Sequence, residues 1–188
     1  MHRKAALTVA ALGLATVGVA PALAAHSSAA PAKVTISTPS SESYKINRYT
    51  QFGLRWNKDT YTVKSGGTLS FKNLQSDDPH TFSVLKASQL PRTTKALNAC
   101  GTQSPTAAPK LPVCRALFKA HAPDAQGNPA NPLVNAGRAG IDQPGDSLFI
   151  APKGAGPQQS IKVTAKKGTT LHFICLVHPW MQATLLVR

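Results

Sequence analysis

Three side chains that can bind a metal ion lie close together in the last part of the chain. Cys175, His178 and Met181 offer a thiolate, an imidazole and a thioether within seven residues. Thiolate and thioether sulfurs favour copper, particularly Cu(I), and imidazole suits copper in either oxidation state. The motif therefore predicts one copper ion that can exist as Cu(I) and Cu(II).

A fourth ligand is expected from a distant segment. His80 follows Pro79 at a polar break between two predicted strands, and two loops can meet at one end of a β-sandwich. With His80, the set becomes two histidines, one cysteine and an axial Met181, which is a known copper arrangement. Zinc is the main alternative, but structural zinc sites use Cys, His or carboxylate ligands and not Met.

The other histidines are weaker candidates. His172 alternates out of phase with Cys175, so on a strand it points to the opposite face. His121 lies in a segment without a strand pattern, and we expect it to be exposed to solvent. His2 and His26 belong to the N-terminal leader.

The elements that must hold these ligands are predicted to be strands. Short segments with alternating apolar or β-branched residues, separated by Gly, Pro, Asn and Ser, favour an all-β, two-sheet β-sandwich. They cover residues 33–38, 44–56, 60–64, 68–73, 81–85, 147–150, 159–165, 169–175 and 183–187.

Residues 87–145 interrupt this pattern. The segment is rich in Pro and Gly and contains one short helical candidate, 113–121. So long a loop is either functional, for example a lid, or an insertion fixed by a disulfide. Cys100 and Cys114 are the simplest disulfide pair of the three cysteines, which leaves Cys175 free for chemistry. Closing that loop would stabilise the fold by about 3 kcal/mol.

The N-terminus predicts export. Residues 1–24 have basic positions followed by an apolar run and a small-residue cleavage signal near Ala24, as in a signal peptide. A retained membrane anchor is the alternative, but the run is short for a bilayer core of about 30 Å. Residues 25–32 read as a flexible leader, and no later segment is apolar enough to span a membrane. We expect a protein of the periplasm, the cell envelope or the medium.

The charge of the chain bears on its partners. The formal net charge is +14, and removing Arg3 and Lys4 with the leader leaves 19 basic against 7 acidic residues. The basic residues are scattered, without a basic helix or Arg-rich block, which argues against nucleic acid. Acidic protein partners or anionic envelope surfaces are more consistent with this charge.

The ligand motif resembles that of the cupredoxins, the blue-copper family that includes plastocyanin and azurin. The spacing from His178 to Met181 is similar to that of amicyanin. The resemblance implies a Greek-key β-sandwich over residues 33–188 with the insertion 87–145, equatorial ligands His80, Cys175 and His178, and an axial Met181. Thr81 stands where many relatives carry Asn, and Ala183 stands where a Gly is frequent.

The resemblance also implies one-electron transfer by a type 1 copper site in a monomer. A redox partner would dock on the apolar residues around the site, which are Leu176, Val177, Pro179 and Trp180. No nucleophile motif, paired carboxylates or phosphate loop predicts an enzyme. Two alternatives remain open, namely a copper carrier or storage protein of the envelope, and an enzyme if the insertion displaces Met181.

Overall fold

The computed structural model describes residues 29–75, 77–101, 107–156 and 159–188. The predicted signal peptide and residues 25–28 of the predicted leader lie outside the described residues. Strands dominate the described chain, with two short helices between the sixth and seventh strands and a single 3-10 turn before them. In chain order these are β1 (Lys33–Thr38), β2 (Glu42–Lys45), β3 (Tyr49–Phe52), β4 (Thr60–Val63), β5 (Thr68–Asn73), β6 (His80–Leu85), a 3-10 helix (Ala87–Gln89), α1 (Thr94–Cys100), α2 (Pro112–His121), β7 (Leu133–Val134), β8 (Ser147–Ile150), β9 (Ser160–Lys162), β10 (Thr170–Ile174) and β11 (Gln182–Val187).

Two sheets form the sandwich, which confirms the predicted fold class. The first sheet has the order β1-β5-β9, and the second has the order β4-β11-β10-β6-β8-β7. β1 pairs in parallel with β5, and β4 pairs in parallel with β11, whereas the neighbours of β10 are antiparallel. No helix of the described residues is long and apolar enough to cross a membrane.

Apolar side chains that alternate along the strands form the core between the sheets. Phe71 of β5, Phe82 of β6 and Phe173 of β10 are at most 2% exposed. The ring centroids of Phe82 and Phe173 lie 4.2 Å apart, and those of Phe71 and Phe82 lie 5.2 Å apart. These spacings fall near the range in which aromatic rings attract each other beyond simple burial. The three rings therefore join the two sheets beneath the ligand-bearing end of β10.

β6 is buried on both faces. Phe82 and Val84 belong to the core between the sheets, whereas Leu85 belongs to a second cluster on the outer side. That cluster also contains Leu117 of α2 and Ile174 of β10. The insertion thus forms a third layer over the outer face of the second sheet, next to the strands that carry the candidate ligands.

The disulfide predicted for the insertion is present. Cys100, at the end of α1, is bonded to Cys114 in the first turn of α2, and both cysteines are fully buried. The Thr93 hydroxyl caps α1 by accepting the Ala96 N–H, and α2 begins with Pro112, whose fixed φ suits a first helical position. The helix predicted at 113–121 is therefore confirmed, whereas the sequence did not predict α1.

Residues 44–56 differ from their prediction as one strand. β2 and β3 form a separate two-stranded hairpin, which turns at Asn47 with a left-handed φ of 58°. All eight residues of its strands are exposed. Alternation identified strand conformation here, but a hairpin that pairs only with itself produces the same pattern as a strand of the sandwich.

Candidate metal centre

The structure brings together three of the four predicted ligands. His80 lies at the first position of β6, Cys175 directly follows β10, and His178 lies in the loop between β10 and β11. The Sγ atom of Cys175 lies 3.7 Å from Nδ1 of His80 and 3.8 Å from Nδ1 of His178, and the two Nδ1 atoms lie 3.3 Å apart. Three donor atoms from two distant parts of the sequence therefore form a compact triangle.

The size of this triangle fits a metal ion. A triangle with these three sides has a circumradius of about 2.1 Å, so one point lies that far from all three atoms. Metal–imidazole bonds of a divalent ion such as zinc measure about 2.0–2.1 Å, and metal–thiolate bonds measure about 2.3 Å. The three residues are also the one group of metal-binding side chains found among the described residues.

Burial controls the protonation of the three donors. Burial, together with the nearby His178, lowers the pKa of His80 to about 3, and burial also lowers the pKa of His178. Burial raises the pKa of the Cys175 thiol to about 11, although N–H groups of Thr81 and His178 oppose this change. Both imidazoles therefore offer free lone pairs at neutral pH, while the thiol must release a proton when a metal binds.

The outer nitrogens of the two histidines have different surroundings. Nε2 of His80 is buried and has no hydrogen-bond partner among the described residues. Nε2 of His178 lies 3.9 Å from Oδ1 of Asp78, which is half exposed. Because both rings turn Nδ1 towards the cysteine, the Nε2 atoms carry the hydrogens when Nδ1 donates its lone pair to a metal.

The ligand loop is closed by backbone bonds around Met181. Its N–H donates to the His178 carbonyl at 2.8 Å, and its carbonyl accepts the Cys175 N–H at 3.0 Å. The same carbonyl accepts Nε1–H of the buried Trp56 at 2.9 Å. Met181 is 2% exposed and packs in the same apolar cluster as Cys175. These contacts fix the thioether residue beside the three donors.

Thr81 supports the cysteine, a role that the sequence did not reveal. The backbone N–H groups of Thr81 and His178 both donate to Sγ of Cys175 at 3.4 Å. The Thr81 hydroxyl accepts the Leu176 N–H at 2.8 Å. Thr81 therefore ties β6 to the ligand loop although it departs from the Asn of many cupredoxins. Because Thr81 directly follows the candidate ligand His80, its position in the sequence could have indicated a contact with the metal centre.

The two other histidines among the described residues, His121 and His172, do not join the three donors. His172 is half-buried on β10, where Nδ1 lies 3.3 Å from the Thr184 hydroxyl, in agreement with its predicted position on the other face. The prediction that His121 is exposed is wrong, because this residue is 5% exposed. It faces the second sheet from α2, where Nε2 lies 2.7 Å from the Ser147 hydroxyl.

The apolar residues around the site differ in exposure. Trp180 is 50% exposed, Val177 is half-buried, and Leu176 and Pro179 are buried. Leu176 belongs to the outer cluster with the disulfide, as expected if the insertion covers it. His178 itself is 8% exposed and lies against Trp180, with ring centroids 5.3 Å apart. The exposed surface at the site is therefore centred on Trp180.

Comparisons with known proteins show that the structure of this chain is similar to solved structures of cupredoxins. No family model matches the chain, and no curated protein matches it. Among solved structures it is similar to reduced auracyanin from Roseiflexus castenholzii, with a TM-score of 0.42, 17% identity and coverage of 85% of this chain and 98% of that chain. It is also similar to auracyanin A, a "blue" copper protein from Chloroflexus aurantiacus, with a TM-score of 0.39, 18% identity and coverage of 84% and 99%. Amicyanin from Paracoccus versutus aligns with a TM-score of 0.34, 11% identity and coverage of 85% and 90%.

The fold and the donor cluster confirm the resemblance that the motif predicted. A two-sheet sandwich carries His80, Cys175 and His178 with their donor atoms in contact distance, and the backbone of the buried Met181 is hydrogen-bonded to Cys175 and His178. Two imidazoles and one thiolate form a donor group suited to a single copper ion.

Proposed function

We propose that this protein is an exported blue-copper protein, which transfers single electrons between redox partners through one type 1 copper site. His80, Cys175 and His178 would be the equatorial ligands, and Met181 the axial ligand. The observation that carries this proposal is the buried triangle of three donor atoms, 3.3 to 3.8 Å apart. Bound copper would supply a one-electron Cu(I)/Cu(II) couple.

The surroundings of the ligands suit electron transfer because they resist movement. His80 begins a strand buried on both faces, and the loop that carries the other three ligands is closed by backbone hydrogen bonds. Trp56 adds a buried hydrogen bond to that loop. Ligands fixed in this way need to move little when the charge of a bound ion changes.

Partner docking is proposed at the exposed Trp180, beside the edge of His178. This surface is smaller than the four-residue patch expected from the sequence, since Leu176 and Pro179 are buried. A small contact is typical of short-lived redox complexes. The basic net charge supports an acidic partner that is attracted over long distances.

Export is proposed from residues 1–24, with cleavage near Ala24, and residues 33–188 form the proposed cupredoxin domain. A disulfide between Cys100 and Cys114 is consistent with an oxidising compartment. The mass of the N-terminal peptide of the protein recovered from the periplasm or medium tests this proposal. A protein that still begins at Met1 would contradict cleavage.

Electron transfer is favoured over copper storage because the site is closed. His80 and Cys175 are completely buried, and Met181 is 2% exposed, so no acceptor protein can reach these ligands to take the ion. An enzyme would need an open coordination position, and the burial of Met181 beside Cys175 in the core argues against a displaced methionine.

Visible absorption of the purified, Cu(II)-loaded protein tests the function. We expect strong thiolate-to-copper absorption and fast, reversible one-electron voltammetry. Cys175→Ser should abolish the absorption, whereas the matched variant Cys100→Ser/Cys114→Ser should retain it, because those sulfurs lie in the insertion. A colourless protein that releases Cu(I) to a chelator would instead be a carrier and would overturn the proposal.

A further inference from the structure

A chain of buried hydroxyl groups leads from the insertion to the metal centre. Nε2 of His121 lies 2.7 Å from the Ser147 hydroxyl of β8, which lies 2.7 Å from the Ser83 hydroxyl of β6. The Ser83 hydroxyl in turn lies 2.9 Å from Oγ1 of Thr81. All four side chains are at most 5% exposed. The chain crosses from the third layer through the second sheet without reaching solvent.

The inner end of this chain lies at a residue that contacts the candidate copper ligand. Oγ1 of Thr81 accepts the N–H of Leu176, the residue after Cys175, at 2.8 Å. The backbone N–H of Thr81 donates to the Cys175 sulfur at 3.4 Å. The Thr81 side chain is therefore held between Ser83 and Leu176, and its backbone contacts the sulfur.

The outer end of the chain is fixed by the insertion. Nδ1 of His121 lies 2.7 Å from the Asn131 carbonyl, and a carbonyl can only accept, so Nδ1 carries a hydrogen. The ring is therefore held in one orientation, with Nε2 against Ser147. The Asn131 N–H returns a bond to the His121 carbonyl at 3.0 Å. These contacts give the ring a specific role that simple packing of α2 does not require.

We propose that His121 is a positioning residue of the metal centre, acting through Ser147 and Ser83 to hold Thr81, whose backbone N–H donates to the Cys175 sulfur. This inference depends on the proposed copper site. Hydrogen bonds around the ligand sulfur tune the reduction potential of such sites. They stabilise negative charge on the sulfur, which is larger in the reduced state, and so favour reduction. The insertion would then adjust the potential without contributing a ligand.

Reduction potentials of His121 variants of the full, copper-loaded protein test the proposal. His121→Leu should lower the equilibrium constant for reduction about ten-fold, which equals 59 mV for a one-electron couple. It should also shift the thiolate-to-copper absorption. His121→Gln should restore most of the wild-type potential, because an amide can donate to Asn131 and also accept from Ser147. The control Leu117→Ala removes buried volume from the same helix and should destabilise the fold while leaving the potential unchanged.

A second variant tests whether the residues act as one chain. Ser83→Ala removes the link next to Thr81 and should shift the potential in the same direction as His121→Leu. The double variant should shift it no further than the larger single effect, because both changes interrupt the same path. Additive shifts, equal potentials in His121→Leu and wild type, or a Leu117→Ala shift as large as that of His121→Leu would each overturn the proposal.

Amide hydrogen exchange of the metal-free protein separates this proposal from the function it depends on. The Leu176 N–H, which donates to Thr81, should exchange faster in Ser83→Ala and His121→Leu than in wild type and Leu117→Ala. If the wild type takes up no copper but Leu176 responds in this way, the proposed function fails and the chain of hydrogen bonds stands. If copper gives the expected colour but Leu176 and the potential do not respond, the role of His121 is refuted.

Discussion

At the scale of single residues, burial keeps the two candidate histidine ligands neutral in the metal-free protein. His80 has no solvent exposure, and its pKa falls to about 3, far below the ordinary value of 6.5. The same direction holds for His121 and His178, whose pKa values are lowered mainly by burial. Each imidazole is therefore neutral when the protein is folded, and each resists protonation in mild acid.

This burial predicts that the metal-free protein loses stability in acid. Below pH 6.5 the unfolded chain binds protons at these histidines and the folded chain does not, so the free energy of unfolding falls as pH decreases. For His80 the loss should continue from pH 6.5 to about pH 3, at about 1.4 kcal/mol per pH unit. Urea unfolding at pH 7.5, 6 and 5 measures it.

The variant His121→Gln provides the control for this prediction, because it removes one of the buried titrating groups. Its free energy of unfolding should depend less steeply on pH between 6.5 and 5 than that of the wild type. Equal slopes in the two proteins would show that His121 does not contribute, and a flat profile for the wild type would contradict neutral, buried histidines.

At the scale of elements, β6 joins the core to the insertion. Its inner face carries Phe82 and Val84, and its outer face carries Thr81, Ser83 and Leu85 beneath α2. The insertion is therefore a packed layer, stabilised by its own apolar cluster and the disulfide, and not a loose lid over the site. Loosening this layer should lower the stability of the fold while the metal-binding residues, which lie outside the insertion, are retained.

Removing the disulfide tests this separation. Cys100→Ala/Cys114→Ala should lower the free energy of unfolding by about 3 kcal/mol, because the unfolded chain regains the freedom of a short closed loop. The thiolate-to-copper absorption should remain, since Cys175 contributes the only free thiol among the described residues. Calorimetry and absorption spectra of the double variant and the wild type measure both effects. Lost colour in a folded variant would contradict an insertion that supports the site only from outside.

The sequence could predict the candidate ligands but not their supports. Cys175, His178 and Met181 form a local motif, and the strand pattern placed His80 at a break just before the strand 81–85. The hydrogen bonds that Thr81 donates to Cys175 and Trp56 donates to Met181 depend on which strands become neighbours. No local sequence pattern encodes which strands pair. His121 was misjudged for the same reason, because it is buried against Ser147 on the second sheet, and ordinary alternation does not reveal that the insertion packs there. α1 has only seven residues and lacks a clear apolar stripe.

At the scale of the whole molecule, the basic net charge should influence how fast charged redox reagents and partners reach the protein. The formal net charge of the chain is +14, with basic residues spread over many elements. Such a field attracts anions and repels cations over distances set by the salt concentration. The charge of a small-molecule redox reagent should therefore decide how its reaction rate responds to salt.

Stopped-flow oxidation of the Cu(I) protein checks this expectation. With the anion hexacyanoferrate(III), the rate should fall as the ionic strength rises from 0.01 to 0.15 M, because the screening length shrinks from about 30 to about 8 Å. With a tris(phenanthroline)cobalt(III) cation, the rate should rise over the same range. Rates that respond to salt with the same sign for both reagents would refute steering by net charge.

The distance along the chain between His80 and Cys175 also determines how much of the chain must be present before the metal centre can form. Their side chains meet across 95 residues, and β11, the last strand, completes the second sheet by pairing with β4. A chain that ends before Cys175 therefore lacks two of the three donors. Such truncated chains should take up no copper at this site.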